Sequence, residues 1–129
     1  DGVVTSNREG PFWPAGPSVW ELSVDEKVQA KLNRDFDKRL QQAQGRIDVP
    51  RTTYVAVTAR RFGQENKAAW AAEKRQQGRW ADVHIYDADD LAAWLALAPA
   101  VGLWFATSAL GLPAIDITDV EDYLHRWSR

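Results

Sequence analysis

Alternating apolar and polar positions predict the strands of this chain. Within residues 18–24, Trp20, Leu22 and Val24 share one side of an extended segment. Val19, Glu21 and Ser23 lie on the other. This alternation predicts a strand with an apolar face and a carboxylate on the opposite face. Residues 52–58 are β-branched almost throughout, and residues 82–86 and a short segment at 3–5 have the same character.

The segments between these strands have the periodicity of helices. A capping box at Ser23-x-x-Glu26 predicts a helix that runs to about residue 44 and ends at Gly45. Its apolar face is formed by Val28, Leu32, Phe36, Leu40 and Ala43. Further helices are predicted over 64–77, over 91–98 behind the box Asp87-x-x-Asp90, over 99–110, and from Thr118-x-x-Glu121 onward. Strands alternating with helices predict an α/β fold with a sheet that is at least partly parallel.

Composition removes several classes of protein and site. The 129 residues are 45% hydrophobic, enough for a core, and contain neither cysteine nor methionine. Disulfides, thiolate nucleophiles and cysteine metal sites are therefore excluded, and the chain has no Gly-rich phosphate loop or Gly-x-Ser-x-Gly turn. The apolar run 91–112 is interrupted by proline and glycine, so a membrane span is not expected. With no signal-peptide pattern at its start, the chain is expected to be cytoplasmic.

The net charge of −2 conceals an uneven distribution. Residues 1–26 carry a net −4, residues 27–79 a net +8 and residues 80–129 a net −6. The basic middle third suits phosphate binding. Alternatively, its lysines and arginines solvate the two helices predicted there. Neither histidine, His84 nor His125, is expected to belong to a catalytic site.

Two carboxylates lie at strand positions, where acidic residues are depleted. Glu21 is inside a predicted strand and Asp1 precedes another. Because an ionised carboxylate is costly to bury alone, Glu21 needs a cationic partner. Together the two could hold a hard divalent ion through oxygen ligands, which would activate water against a phosphodiester. In the alternative interpretation, Glu21 forms a salt bridge with an arginine and Asp1 is an ordinary turn residue.

The helix after Glu21 adds basic groups. Lys31, Asp35 and Arg39 form a row at four-residue spacing beside its apolar face. Arg39 is partly covered there and requires a carboxylate or phosphate. Alternatively, Asp35 bridges its two basic neighbours. A separate outward stripe suits either solvent or phosphate contact; it comprises Lys27, Lys31, Arg34 and Lys38.

The order of these motifs resembles the PD-(D/E)xK nuclease superfamily, in particular the Mrr-like restriction endonuclease domains of bacterial defence proteins. The matching segments cover most of residues 1–110. They are Asp1-Gly2, residues 16–22, Lys31-x-x-x-Asp35-Phe36-x-Lys38-Arg39, residues 53–58, Trp70, Gly78-x-Trp80-x-Asp82-Val83, residues 86–88, residues 91–95, Pro99-Ala100-Val101 and Trp104.

The resemblance implies a three-layer α/β fold of the restriction-endonuclease type, in which helices flank a mixed central sheet. It further implies that Asp1, Glu21 and the backbone carbonyl of Leu22 bind Mg²⁺ or Mn²⁺. The superfamily's lysine, two residues after the glutamate, is replaced here by Ser23. Some members supply that lysine from the following helix, which makes Lys31 the catalytic candidate. Lys27, Arg34, Lys38 and Arg39 would then contact DNA or support the site.

These observations predict one nuclease-like domain over 1–129, with 99–129 as a helical extension and with a superfamily helix and strand missing ahead of Asp1. The leading hypothesis is a Mg²⁺-dependent DNA endonuclease domain of a restriction or antiviral defence protein. Its expected partners are DNA and other domains of a longer chain, such as an NTPase, with no membrane; self-association is left open. Two alternatives are a catalytically inactive module that binds nucleic acid or a partner, and a purely structural α/β module.

Overall fold

A computed structural model describes residues 1–112 and contains an α/β fold with a four-stranded mixed sheet. The strands are β1 (Gly2–Ser6), β2 (Gly16–Ser23), β3 (Thr53–Thr58) and β4 (Asp82–Tyr86). The helices are α1 (Val28–Ala43), α2 (Gln64–Gln76), α3 (Ala88–Ala96) and α4 (Pro99–Trp104), with a 3₁₀ turn at Val49–Arg51 and a π-helical turn at Phe105–Ala109. The predicted strands and the α1 and α2 helices are confirmed to within a few residues at their ends.

The strands lie in the order β1-β2-β3-β4. β1 and β2 form an antiparallel hairpin, and β2, β3 and β4 are parallel to one another. The predicted partly parallel sheet is thus confirmed. Because each parallel connection passes through a helix and the order advances in one direction, α1 and α2 cover the same face.

The core lies between that face and the two helices. Val19 of β2 pairs with Tyr54, which pairs with Val83, and all three side chains are buried beneath the helices. Leu32, Phe36 and Ala43 of α1 are buried there as well, as the periodicity predicted. Phe36 packs edge-on against Tyr54 with ring centroids 5.0 Å apart.

The predicted orientation of β2 is wrong. The residues expected on the apolar side, Leu22 and Val24, are 56% and 72% exposed, whereas Val19 is 1% exposed. Glu21 shares the face of Val19, so its carboxylate points toward α1. On the other face, Trp20 lies 6.3 Å from Tyr86 between ring centroids. His84 does face away from Val83 and Ile85, as predicted.

The capping box predicted at the start of α1 is also absent. Ser23 Oγ accepts a hydrogen bond from Asp25 N–H at 3.1 Å, and Asp25 Oδ1 accepts one from Lys27 N–H at 2.8 Å. Two successive turns therefore replace the box, and the helix begins at Val28 without a side-chain cap. The second predicted box does form: Asp87 accepts from Asp90 N–H and Asp90 from Asp87 N–H, so α3 begins at Ala88, earlier than expected.

The chain divides into two compact units, Asp1–Leu91 and a second that begins at Ala92. The second contains α4, which passes into the π-helical turn where a continuous helix to residue 110 was predicted. Several of its apolar side chains are exposed, Leu97 and Trp104 among them. Over residues 1–112, no single helix has the length and apolar character needed to cross a membrane, although one bent pair, Ala88–Ala96 with Pro99–Ala109, meets that test together. The segment from Thr118 and His125 lie outside the described residues.

Candidate functional site

The β1–β2 hairpin brings Asp1 beside Glu21. Gly2 is opposite Trp20, so the register carried one residue further places Asp1 opposite Glu21. Asp1 Oδ1 accepts a hydrogen bond from Leu22 N–H at 3.0 Å. Because the N–H and C=O of one residue in an extended strand point to the same side, the Leu22 carbonyl is also directed toward β1. Asp1 and Glu21, the two carboxylates that the sequence predicted as metal ligands, are therefore neighbours at the carboxyl end of β2.

Arg39 holds the Glu21 carboxylate from the helix side. The guanidinium Nε donates a hydrogen bond to Glu21 Oε1, Nη2 forms an ion pair with the same oxygen, and the two side chains are 22% and 12% exposed. Glu21 and Arg39 thus supply each other with the charged partner that the sequence predicted each would need. The arginine salt bridge of the alternative interpretation is therefore present in the structure. Within the described chain Glu21 Oε2 has no hydrogen-bond or ion-pair partner, and neither has Asp1 Oδ2.

Lys31 and Asp35 form the other half of the predicted row. Lys31 Nζ lies 2.7 Å from Asp35 Oδ1, and the lysine side chain is 32% exposed. Asp35 thus pairs with Lys31 alone and does not bridge to Arg39, which is committed to Glu21. Lys31 faces partly into solvent from the first turns of α1, the end of the helix that follows the Glu21 strand.

Tyr54 lies beneath this row of charges. Its ring is fully buried, and its hydroxyl has no hydrogen-bond partner among the residues described. Burial, and after it the charges of Glu21 and Asp35, raise the pKa of Tyr54 far above its ordinary value. The phenol is therefore neutral at any working pH and contributes no charge to the site.

The basic stripe on α1 is only partly available for phosphate contact. Lys27 and Lys38 are exposed and make no ion pair with the described residues. Arg34 is exposed but lies 3.5 Å from the Asp25 carboxylate. Across the basic middle third, nine of the thirteen cationic side chains form ion pairs with residues 1–112. Much of the +8 charge is therefore offset locally. The four cations without such a pair among the described residues are Lys27 and Lys38 at α1 and Arg46 and Arg79 elsewhere.

Comparisons with protein-family models, with curated proteins and with solved structures find no match. The capacity of the site to bind a metal ion therefore follows from its own donor atoms. No group of three or more histidine, cysteine or acidic side chains in residues 1–112 could enclose a metal ion. Two carboxylates and a carbonyl remain a suitable set for Mg²⁺, which keeps several waters and is bound in many proteins through one or two carboxylates plus substrate phosphate.

A second charged cluster, which the sequence did not predict, lies at the carboxyl ends of β3 and β4. Asp87 is fully buried, and its carboxylate accepts hydrogen bonds from Lys67 Nζ at 3.1 Å and from the N–H groups of Phe62 and Gly63 at 3.0 and 3.1 Å. Lys67 also lies 2.5 Å from Asp90. The cluster ties the β3–α2 loop to the start of α3. The sequence did contain an indication of this cluster. Lys67 lies on the same face of α2 as the buried Trp70 and Ala71. A lysine on a buried helix face needs a carboxylate partner.

The Asp87 contacts predict an acid-sensitive fold. Burial by itself raises the pKa of Asp87, but the N–H groups of Phe62 and Gly63 and the Lys67 ammonium outweigh it and hold the pKa well below its ordinary value. A carboxyl with a lowered folded-state pKa stabilises the fold above its unfolded pKa. That stabilisation is lost as the pH falls below about 4. The free energy of unfolding from urea titrations at pH 7 down to pH 2.5 should show this fall, and Asp87→Asn should flatten it; an unchanged slope in the variant would contradict the assignment.

A shallow cleft of about 390 Å³ follows the outer edge of β4 beside α2. Arg75 closes part of this edge, because its Nη2 donates to the Val83 carbonyl at 2.6 Å and its Nε to Asp82 Oδ1 at 2.7 Å. Asp82 also accepts from Val83 N–H and lies 3.0 Å from His84 Nε2. These contacts occupy backbone groups to which another strand could pair, which is a common protection of an edge strand. The contact of His84 with Asp82 belongs to this protected edge, which gives the histidine a structural role.

Proposed function

We propose that the chain is a nuclease-type domain of the restriction-endonuclease class that hydrolyses phosphodiester bonds of DNA with Mg²⁺ or Mn²⁺. The observation that carries the proposal is the state of the two neighbouring carboxylates. Asp1 and Glu21 each have one oxygen held by a protein donor and the other without a protein partner. Such a carboxylate is oriented in advance yet keeps an acceptor for a cation.

The topology supports the same proposal. An antiparallel hairpin with an acidic residue at the start of its first strand and another at the end of its second is followed by a helix and parallel strands. This is the order that the superfamily resemblance implies. The three-layer arrangement and the role in bacterial defence are part of the proposal, as is a cytoplasmic location.

Each side chain has a distinct task in this scheme. Asp1, Glu21 and the Leu22 carbonyl would bind the cation, which would supply a water of lowered pKa and stabilise the negative charge that develops on the phosphoryl group. Arg39 orients Glu21. Lys31, from the first turns of α1, would orient the attacking water or offset phosphate charge, since Ser23 carries no amine and its hydroxyl caps a turn. Lys27 and Lys38 would contact the DNA backbone.

The second candidate function is a nucleic-acid-binding module without catalysis. Two observations favour it: Ser23 occupies the position of the superfamily's lysine, and Lys31 is engaged with Asp35 at 2.7 Å. Such a module would bind DNA through the unpaired Lys27 and Lys38, with an affinity that falls steeply with salt. It would need no divalent cation.

Cleavage of supercoiled plasmid by the purified protein separates the two functions. The nuclease proposal predicts nicked or linear products with Mg²⁺ or Mn²⁺ and none with EDTA, and Lys31→Ala should lower the rate about 100-fold through the loss of a group acting on water. Arg51→Ala is the matched control, because Arg51 is exposed at the opposite end of the sheet. Salt-sensitive binding without cleavage would instead establish the second function, and a Lys31→Ala variant as active as Arg51→Ala would remove Lys31 from the site.

A further inference from the structure

The charges around Glu21 are nearly balanced without any metal. Lys31 and Asp35 neutralise each other at 2.7 Å, and the buried Tyr54 phenol is uncharged. The residues proposed for the site add the charges of the Asp1, Glu21 and Arg39 side chains. The Arg39 guanidinium offsets one of the two carboxylates, so these three side chains together carry a net charge of about −1.

Arg39 also occupies the same carboxylate group that a metal would use. Its Nε donates to Glu21 Oε1 and its Nη2 forms an ion pair with the same oxygen, which leaves Oε2 as the oxygen available to a cation. The pair is largely shielded from water, with side chains 22% and 12% exposed, so its electrostatic effect is screened less than that of a surface pair. A positive charge within a few ångströms of a site lowers the affinity of that site for a divalent cation.

We infer that Arg39 is a positioning residue that keeps the intrinsic divalent-metal affinity of the Asp1–Glu21 site low, so that tight metal binding requires the additional negative charge of a DNA phosphate. This inference rests on the proposed function. It assigns to Arg39 a role that neither the ion pair nor the resemblance specifies: coupling of metal binding to substrate binding. The coupling is reciprocal, so the metal also raises the affinity for DNA by the same factor.

The inference is tested by the binding of Mn²⁺ alone, measured by calorimetry or by electron paramagnetic resonance without DNA. Arg39→Gln should bind Mn²⁺ about tenfold more tightly than the unchanged protein, because the competing charge is removed while the amide can still donate to Glu21. Arg39→Lys, which keeps the charge, should resemble the unchanged protein. Addition of a short DNA duplex in Ca²⁺-free buffer should tighten Mn²⁺ binding more in the unchanged protein than in Arg39→Gln.

Three results would overturn the inference in distinguishable ways. Equal or weaker Mn²⁺ binding by a folded Arg39→Gln variant would leave Arg39 as a structural partner of Glu21 only. An Arg39→Lys variant that gains affinity as much as Arg39→Gln would show that guanidinium geometry and not charge sets the affinity. Absence of Mn²⁺ binding in every variant, with and without DNA, would defeat the proposed function itself.

Discussion

Replacing Glu21 by glutamine is expected to abolish metal-dependent DNA cleavage, with a rate loss of more than about 100-fold. The amide keeps the shape of the side chain and can still accept from Arg39, but it removes one of only two anionic ligands. A neutral amide oxygen is a poor substitute for a carboxylate in a site that holds its cation mainly by charge. The measurement is the initial rate of plasmid nicking over a range of Mg²⁺ concentrations.

The control for this variant is Asp48→Asn. Asp48 is exposed near the opposite end of the sheet and pairs weakly with Arg51 at 3.5 Å. It should cleave at the rate of the unchanged protein. Because glutamine can still accept a hydrogen bond from Arg39, Glu21→Gln should lower the free energy of unfolding by only about 1 kcal/mol. Undiminished cleavage by a folded Glu21→Gln variant would remove Glu21 from the site, and with it the metal-dependent scheme.

Asp87→Asn is expected to have the largest effect on stability, a loss of about 3 kcal/mol in the free energy of unfolding. Asp87 is 0% exposed and is the common acceptor for Lys67 and for backbone N–H groups of two separate segments, at 62–63 and 89–90. Asparagine removes the charge and offers a single acceptor oxygen, so Lys67 is left buried with Asp90 as its remaining anion. For a chain of this size the midpoint of thermal unfolding should fall by about 10 °C.

The neighbouring carboxylate provides a matched control. Asp89 is exposed and pairs with Arg61 at 3.1 Å on the surface. Asp89→Asn should change the free energy of unfolding by no more than about 0.5 kcal/mol. If calorimetry shows equal midpoints for the two variants, the buried cluster does not stabilise the fold in the way its contacts indicate. Because Asp87 is remote from Glu21 in the sheet order, the Asp87 variant tests the fold independently of the nuclease proposal.

The fold class could be predicted from local sequence because it depends on period and chain order. The β-branched residues at 53–58 favour a strand, and the apolar positions three or four residues apart from Val28 to Ala43 favour a helix. The start of α1 could not be predicted as well, because Ser23 can cap a helix or a turn with the same hydroxyl. Here Asp25 and Lys27 take part in two local turns instead, and the helix begins later.

The site could be predicted only as a set of residue types. The strand position of Glu21 indicated that it needs a cationic partner, and the row on α1 named Lys31 and Arg39 as the groups within reach. Which of them pairs with Glu21 depends on how α1 packs against the sheet. That packing is set by tertiary contacts and not by the local sequence. Lys67 was missed because its partner Asp87 is twenty residues away along the chain, and nothing local connects them.

By itself the sequence determined the elements, their order, the partly parallel sheet and the isolation of one carboxylate within a strand. Only the tertiary structure decided which face of β2 is buried, because alternation distinguishes two faces but the order of strands in the sheet selects the one that the helices cover. That choice turned Glu21 toward α1 and left Leu22 exposed. The hairpin register then placed Asp1 beside Glu21, and the helix packing placed Arg39 against it, through contacts between residues far apart in the chain.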